Sequence, residues 1–513
     1  MSGHADRVAL LGLDIGTTSC KVVAYKADGE RIAQAACGYP LSHPQPGWAE
    51  LDPGDILAAV RQVLGEVAPV LTGFGRIALA TSAQGEAFAL VDVEGRVLCP
   101  LPVSVDMRGR AAVGALREDP DAARAAGSAG QELNALTSLA KLLWFRDAAD
   151  RLLDRADNAF CVGELVMHHL GLQPIMDHSI AARMGLLDVR SLDWSVELVA
   201  AAGIPPRLLP PVASAGRYVG TVPAARASAL GLNQAVEVYT GGHDQACAML
   251  GAGVTDDRTG LYSIGTTEAI GVPATAIAEG LSDLHIFPYP HVVEGRYVIL
   301  FGSQNGGRVL PWLASLLGRG GTPLVPDGLP TVPSMITFVP HLAGSGTVLG
   351  DEAAKATILQ LDYDTTPEML TLAALEGITM EQALGLSRLG EAGIRPSRLR
   401  SVGGGSRSDT WMQIKSDILG LSIEALDEPD TACAGAAVLA GVGAGVFPSA
   451  EEGAAHFVRV RREFAPRPGF GEVYRLKREL YRQSYLATAG LRPLLAELEA
   501  AVAALAGKVE GTD

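Results

Sequence analysis

The chain has 513 residues, 48% hydrophobic and 19% charged, with a formal net charge of −16. That is the composition of a well-buried globular protein of two large domains, or three, and it excludes a disordered chain. The negative charge argues against nucleic acid or an anionic membrane as partner. If such a chain handles a polyphosphate, backbone N–H groups and a divalent cation must offset the repulsion.

Six cysteines follow no C-x-x-C spacing, so buried thiols in a reducing compartment are expected, with neither a zinc site nor a disulfide framework. No export signal is legible at the N-terminus. The longest apolar run, residues 432–447, is too short and glycine-rich to span a bilayer and reads as a buried helix. The expected location is the cytoplasm.

Residues 8–13 and 21–25 read as strands joined by the turn Asp14-Ile15-Gly16-Thr17-Thr18, and Asp28-Gly29 signals a hairpin into a third strand at 31–36. An amphipathic helix is predicted over 55–71 and a strand over 76–81, leading into Gln84-Gly85-Glu86. A hairpin around Glu94-Gly95 would pair 87–91 with 97–101. Residues 111–170 are rich in helix signals. Residues 235–239 form a strand that breaks at Gly241-Gly242, letting backbone pass close to another segment and delivering Asp244 to the first turn of a helix. An N-cap acid is the plainer reading of Asp244 taken alone.

The second half opens as the first does. Gly260-Leu261-Tyr262-Ser263-Ile264-Gly265-Thr266-Thr267 parallels Gly12-Leu13-Asp14-Ile15-Gly16-Thr17-Thr18, which points to duplication, with a first domain ending near 253–257. A Pro-rich surface loop is expected at 322–333. A strand at 399–402 runs into Gly403-Gly404-Gly405 and a helix at 411–419, and from about 450 a polar helical tail closes the chain.

Each Gly-Thr-Thr turn offers clustered N–H and hydroxyl donors of the kind phosphate oxygens need, with Lys21 the cation near the first. An acid at such a site usually holds Mg²⁺, which points Asp14 to the metal, with the acid of an ordinary Asp-Gly-like hairpin turn as the plainer reading. Glycines at 403–405 would leave room for a ring or a phosphate, although a flexible turn is the commoner use of such a run.

In order and spacing these motifs resemble the FGGY-type carbohydrate kinases over about residues 8–485. Ser138-Leu139-Ala140-Lys141-Leu142-Leu143-Trp144-Phe145 is similar to the first family signature, with Leu136 where another residue is preferred. Leu372-Ala373-Ala374-Leu375-Glu376-Gly377-Ile378 is similar to the second, with Met369 at a usually polar position. The resemblance implies a two-domain α/β fold of the actin/hexokinase/Hsp70 (ribonuclease H-like) type with ATP in the interdomain cleft. Its domains would span 1–254 and 255–485, followed by a helical tail at 486–513. It implies Asp244 as general base and Asp14 as Mg²⁺ organiser. Thr17, Thr18, Lys21, Gly265, Thr266, Thr267, Gly307, Gly404, Gly405 and Asp409 would bind ATP.

Gln84, Gly85, Glu86, Asp106, Asp244 and Gln245 would bind a small sugar or polyol. Xylulokinases carry Gln-Met-His where Gln84-Gly85-Glu86 stands, and glycerol kinases share only the Glu, after an Arg. A ketose such as xylulose or a deoxyketohexose is the first expectation, glycerol or another polyol the second. A non-kinase ATPase or sugar sensor on the same fold is the alternative of another class. No nucleic-acid or membrane partner is expected, and a homodimer is compatible with this reading.

Overall fold

The computed structural model describes residues 7–510 except 149–150, 233, 321–327 and 329. Most of the Pro-rich loop expected at 322–333 lies outside the described residues. Strands β1 (Val8–Ile15), β2 (Ser19–Tyr25) and β3 (Arg31–Gly38) form an antiparallel meander. Strand β4 (Arg76–Ala83) runs parallel beside β1, and β5 (Val236–His243) runs parallel beside β4. Strand Tyr218–Val222 completes a six-stranded sheet.

The second sheet repeats this plan. Strands β6 (Thr259–Ile264), β7 (Glu268–Ala274) and β8 (Tyr297–Ser303) are antiparallel. Strand β9 (Arg398–Val402) lies parallel to β6, and β10 (Ser422–Leu426) parallel to β9. Tyr289–Pro290 and Val460–Phe464 edge this seven-stranded sheet. The internal repeat therefore marks the same hairpin in both sheets.

Period-2 alternation positions the site. Ala9, Leu11, Leu13 and Ile15 of β1 pack with Ile56, Val60, Val63 and Val67 of helix α1 (Pro53–Leu71). That helix begins where predicted because Asp52 caps the N–H groups of Gly54 and Asp55, with proline in its first turn. Leu10, Gly12 and Asp14 face the other side. Helices α2 (Asp244–Gly251), α3 (Asp409–Leu419) and α4 (Thr431–Gly443) follow in the chain. Although α4 comes after most of the second sheet, it crosses the first one. A Cβ on Gly12 would lie 1.8 Å from the Cys433 carbonyl oxygen. The same helix crosses α2, where a Cβ on Gly435 would lie 1.9 Å from the Cys247 carbonyl oxygen and one on Gly251 1.9 Å from that of Thr431. As predicted, the apolar run is a buried helix.

Two expectations hold only in part. Phe88–Val91 pairs over its full length with Asn158–Cys161; of residues 97–101, Val97 bridges Val91, the Leu98 N–H bonds the Leu90 carbonyl, and Leu101 pairs instead with Leu51. The Asp92–Arg96 turn does form, its N–H groups satisfied by Asp92, but the longer pairing is with a distant apolar strand. Residues beyond 450 are not merely a polar tail. Val460–Phe464 pairs with β10, and helix Phe470–Ala489 buries Tyr474 and Tyr481 in the second core. No helix among the described residues is long and apolar enough to cross a membrane.

Candidate active site

Gly241 is glycine because β5 passes against β4: a Cβ there would lie 1.5 Å from the Thr81 carbonyl oxygen. The pairing shifts register between Tyr239 and Gly242, and the chain turns into α2 with Asp244 as its first residue. Asp244 Oδ1 accepts from the Gln245 N–H at 2.6 Å and lies 3.1 Å from His243 Nε2. Burial, reinforced by the Asp14 and Glu86 carboxylates, pushes its pKa up to about 7. Burial and then Arg183 push His243 far down, so its ring is neutral. Beside them, Gln245 Oε1 is buried with no protein partner among the described residues, an acceptor open to a ligand hydroxyl.

Asp14 lies at the end of β1, in the same sheet and on the far side of β4 from Asp244. Its Oδ1 accepts from Ser82 Oγ at 2.7 Å. Burial raises its pKa, and Ser82 and Lys21 oppose the rise. The Gly16 N–H bonds the Ser19 carbonyl at 2.9 Å, closing the first Gly-Thr-Thr turn, and the Gly265 N–H bonds the Thr267 carbonyl at 3.0 Å, closing the second. Gly265, Thr266 and Thr267 are exposed in the cleft, as is Thr18. Asp14, Gly265 and Thr267 line a cavity of about 360 Å³. It shares Lys21, Gly403 and Asp430 with one of about 410 Å³ beyond the glycine cluster. A buried ion pair ties α3 to the strand after the second turn: Lys415 donates to both oxygens of Glu268, each at 2.8 Å.

Several expected ligand residues are committed elsewhere. Gln84 spends its amide on the first turn, accepting from Thr17 Oγ1 and donating to the Gly16 carbonyl, each at 3.1 Å. The buried Asp106 carboxylate is saturated. Oδ1 takes the Arg108 N–H and Nε, while Oδ2 takes the Ala49 N–H and Arg108 Nη2. It holds Arg108 over the Trp48 ring, 3.8 Å from the centroid, and is not free to grip a hydroxyl.

Around the second turn, Gly307 donates its N–H to the Gly265 carbonyl at 2.9 Å and supports that turn. Asp409 pairs with Arg461 at 3.0 Å and Arg462 at 2.5 Å. Lys21 pairs with Asp430, which also holds Arg31. Gly405 is bare for packing, since a Cβ there would meet Ile264 at 2.2 Å and Trp411 at 3.1 Å. Gly404 has nothing within 4 Å of its missing Cβ and lines the larger cavity. A Gly404→Leu change is therefore expected to weaken ATP binding at least about tenfold by calorimetry, since the new side chain fills open ligand space without straining the fold. Unchanged affinity would make the turn purely structural.

Arg183 and Tyr289 carry no sequence signal. Arg183, from helix His178–Arg183, donates through Nε to Glu86 Oε1 at 2.6 Å. A Cβ on Gly85 would meet Arg183 Cβ and Cγ at 2.9 Å, so Arg183 fills the space beside residue 85. Glu86 is held at φ 62°, a left-handed conformation that costs free energy in a non-glycine residue and recurs at ligand sites.

Known proteins bear on this arrangement directly. The model for the FGGY family of carbohydrate kinases, N-terminal domain, matches residues 9–251, and that for the C-terminal domain matches 260–444. The chain belongs to the FGGY family of carbohydrate kinases. It is 26% identical to a xylulose kinase of Staphylococcus epidermidis, over 94% of this chain and 98% of that protein. It is 30% identical to a glycerol kinase of Aromatoleum aromaticum, over 89% of this chain and 94% of the other. The solved xylulose kinase of Rhodospirillum rubrum superposes with a TM-score of 0.83 at 27% identity, covering 95% of this chain and 99% of that one. The fold is the two-domain α/β fold of solved sugar kinases, as expected. The protein is a phosphotransferase with a hydroxyl acceptor, from a family whose carbohydrate kinases use ATP.

Proposed function

We propose that this kinase transfers the γ-phosphoryl group of ATP to a hydroxyl of a small neutral carbohydrate, a ketose of the xylulose type first, with Asp244 as general base. The single observation carrying this reading is the raised, half-anchored Asp244 carboxylate, close enough to Asp14 at the first Gly-Thr-Thr turn for that carboxylate to help raise it. Phosphoryl transfer needs positioning, charge neutralisation and a base for the acceptor proton. Gln245 Oε1 supplies a free acceptor, and Glu86 with Arg183 supplies a paired acceptor and donor for neighbouring hydroxyls.

Asp244, Glu86 and Asp14 outnumber the two cations nearby, Arg183 and Lys21, so the site disfavours acceptors that carry a carboxylate. Asp14 fits Mg²⁺: its carboxylate has one side-chain donor, and hard cations prefer oxygen ligands. Among the described residues no cluster of three metal-ligating side chains exists, so phosphate oxygens and water would complete its shell. When bound, the metal neutralises phosphate charge.

Glycerol or another polyol is the second reading, favoured by the Arg183–Glu86 pair. It sets a guanidinium beside the acid where glycerol kinases carry Arg-Glu in sequence.

The test is ADP release coupled to NADH oxidation, across ketopentoses, deoxyketohexoses, glycerol, longer polyols and aldonates. A ketose is expected to give the highest kcat/KM, and glycerol ahead of every ketose would favour the second reading. ADP release no faster with any acceptor than with water would sink the kinase assignment. For the best acceptor, Glu86→Gln is expected to raise KM roughly tenfold to a hundredfold, with the KM for ATP within about twofold, because a charged hydrogen-bond acceptor is lost at the sugar alone. The reverse pattern would move Glu86 out of the acceptor site.

A further inference from the structure

We propose that Tyr289 and His243 are positioning residues that lock the Asp244 carboxylate, so that only Oδ2 is left to take the substrate proton. This inference rests on Asp244 being the base. The chain of contacts is continuous. Tyr289 Oη lies 2.9 Å from His243 Nδ1, and His243 Nε2 lies 3.1 Å from Asp244 Oδ1.

Donor and acceptor inventory assigns the protons. An ionised carboxylate only accepts, so Nε2 can hold Oδ1 only when it carries the hydrogen. A neutral imidazole has one N–H, so Nδ1 must accept, and Tyr289 donates its O–H. The tyrosine thereby selects the one tautomer that can hold the base. The Gln245 N–H bonds Oδ1 at 2.6 Å and His243 Nε2 lies within reach of the same oxygen at 3.1 Å, while no protein donor to Oδ2 exists among the described residues.

The imidazole has no freedom to do otherwise. Its backbone N–H is tied to Ser179 Oγ at 2.8 Å, and its ring packs edge-on against Tyr289 with centroids 5.3 Å apart. The Arg183 guanidinium sits 5.4 Å from the Tyr289 ring centroid, where a second positive charge on the imidazole would be repelled. Tyr289 belongs to the edge of the second sheet, whereas His243 and Asp244 end the first sheet and begin α2. The base is therefore aligned only when the two halves are docked at this edge.

The experiment is a double-mutant cycle on the purified full-length enzyme, with the best acceptor and saturating Mg·ATP. Tyr289→Phe is expected to lower kcat about tenfold and His243→Leu about a hundredfold, with both KM values within about threefold, as fits loss of alignment of a base worth 10²–10⁴. His243→Gln, whose amide can still donate to Oδ1, is expected to recover at least about tenfold over His243→Leu. Because Tyr289 acts through the imidazole, the double variant Tyr289→Phe/His243→Leu should lose no more than His243→Leu alone. Should His243→Leu not fold, the same cycle is run with the smaller His243→Ala, and Tyr289→Phe should again add nothing.

Losses that multiply, a wild-type kcat in Tyr289→Phe, or a glutamine no better than leucine would each overturn the proposal. Asp244→Asn in the same series separates the two readings. If it is active, the base assignment itself fails. If it is dead while Tyr289→Phe behaves as wild type, only the positioning chain fails.

Discussion

Asp244→Asn is expected to lower kcat by about 10²–10⁴-fold while calorimetry still detects both ATP and the sugar. The substitution keeps the size and the Oδ1 acceptor but removes the basic oxygen. The Gln245 N–H bond and the start of α2 should survive, since the asparagine carbonyl can take that hydrogen bond. The wild-type rate should also fall as pH drops through about 7, because burial and the Asp14 and Glu86 carboxylates raise the Asp244 pKa to that value and the base works only when unprotonated. Residual activity in Asp244→Asn should lack this limb. Near-normal kcat in the variant with intact Mg·ATP binding would remove Asp244 from the base role.

Gly435→Ala is expected to cost about 3 kcal/mol or more of stability, the upper end for overpacking a tight interior. The added Cβ would lie 1.9 Å from the Cys247 carbonyl oxygen and 2.7 Å from its carbon, both backbone atoms that no rotamer change can move. Helices α2 and α4 must then part. Since α2 carries Asp244 and α4 crosses Gly12, two positions before Asp14, turnover should fall in the surviving folded fraction. Gly471→Ala is the control: it lies in helix Phe470–Ala489 with nothing within 4 Å of its missing Cβ. There alanine should be neutral or slightly stabilising. Equal denaturation midpoints for wild type and Gly435→Ala would show that the crossing yields without cost.

What the sequence by itself determined was local. Turn chemistry and alternation mark the β1–β2 and β6–β7 hairpins, because a Gly-Thr-Thr turn between apolar strands has few other ways to satisfy its backbone. The same holds for α1, capped by Asp52, and for Gly241-Gly242, where only missing side chains permit the Thr81 contact that brings Asp244 to the cleft. Partner choice was decided by the tertiary structure. Phe88–Val91 meets Val97 and Leu98 as the local turn dictates, but its full-length partner is the distant Asn158–Cys161, selected by burial among apolar side chains.

The polar residues follow the same rule. Gln84, Asp106 and Asp409 carry ligand-like chemistry, yet each is bonded to a protein group that would otherwise be buried or charged without a partner. Gly404 and Gly405 are alike in sequence, but one faces open space and the other Ile264. Arg183 and Tyr289 reach Asp244's surroundings from segments about 60 residues before it and 45 after it, with no motif of their own. Their role follows from which carboxylate and which imidazole nitrogen they meet, and that meeting exists only once the chain has closed on itself.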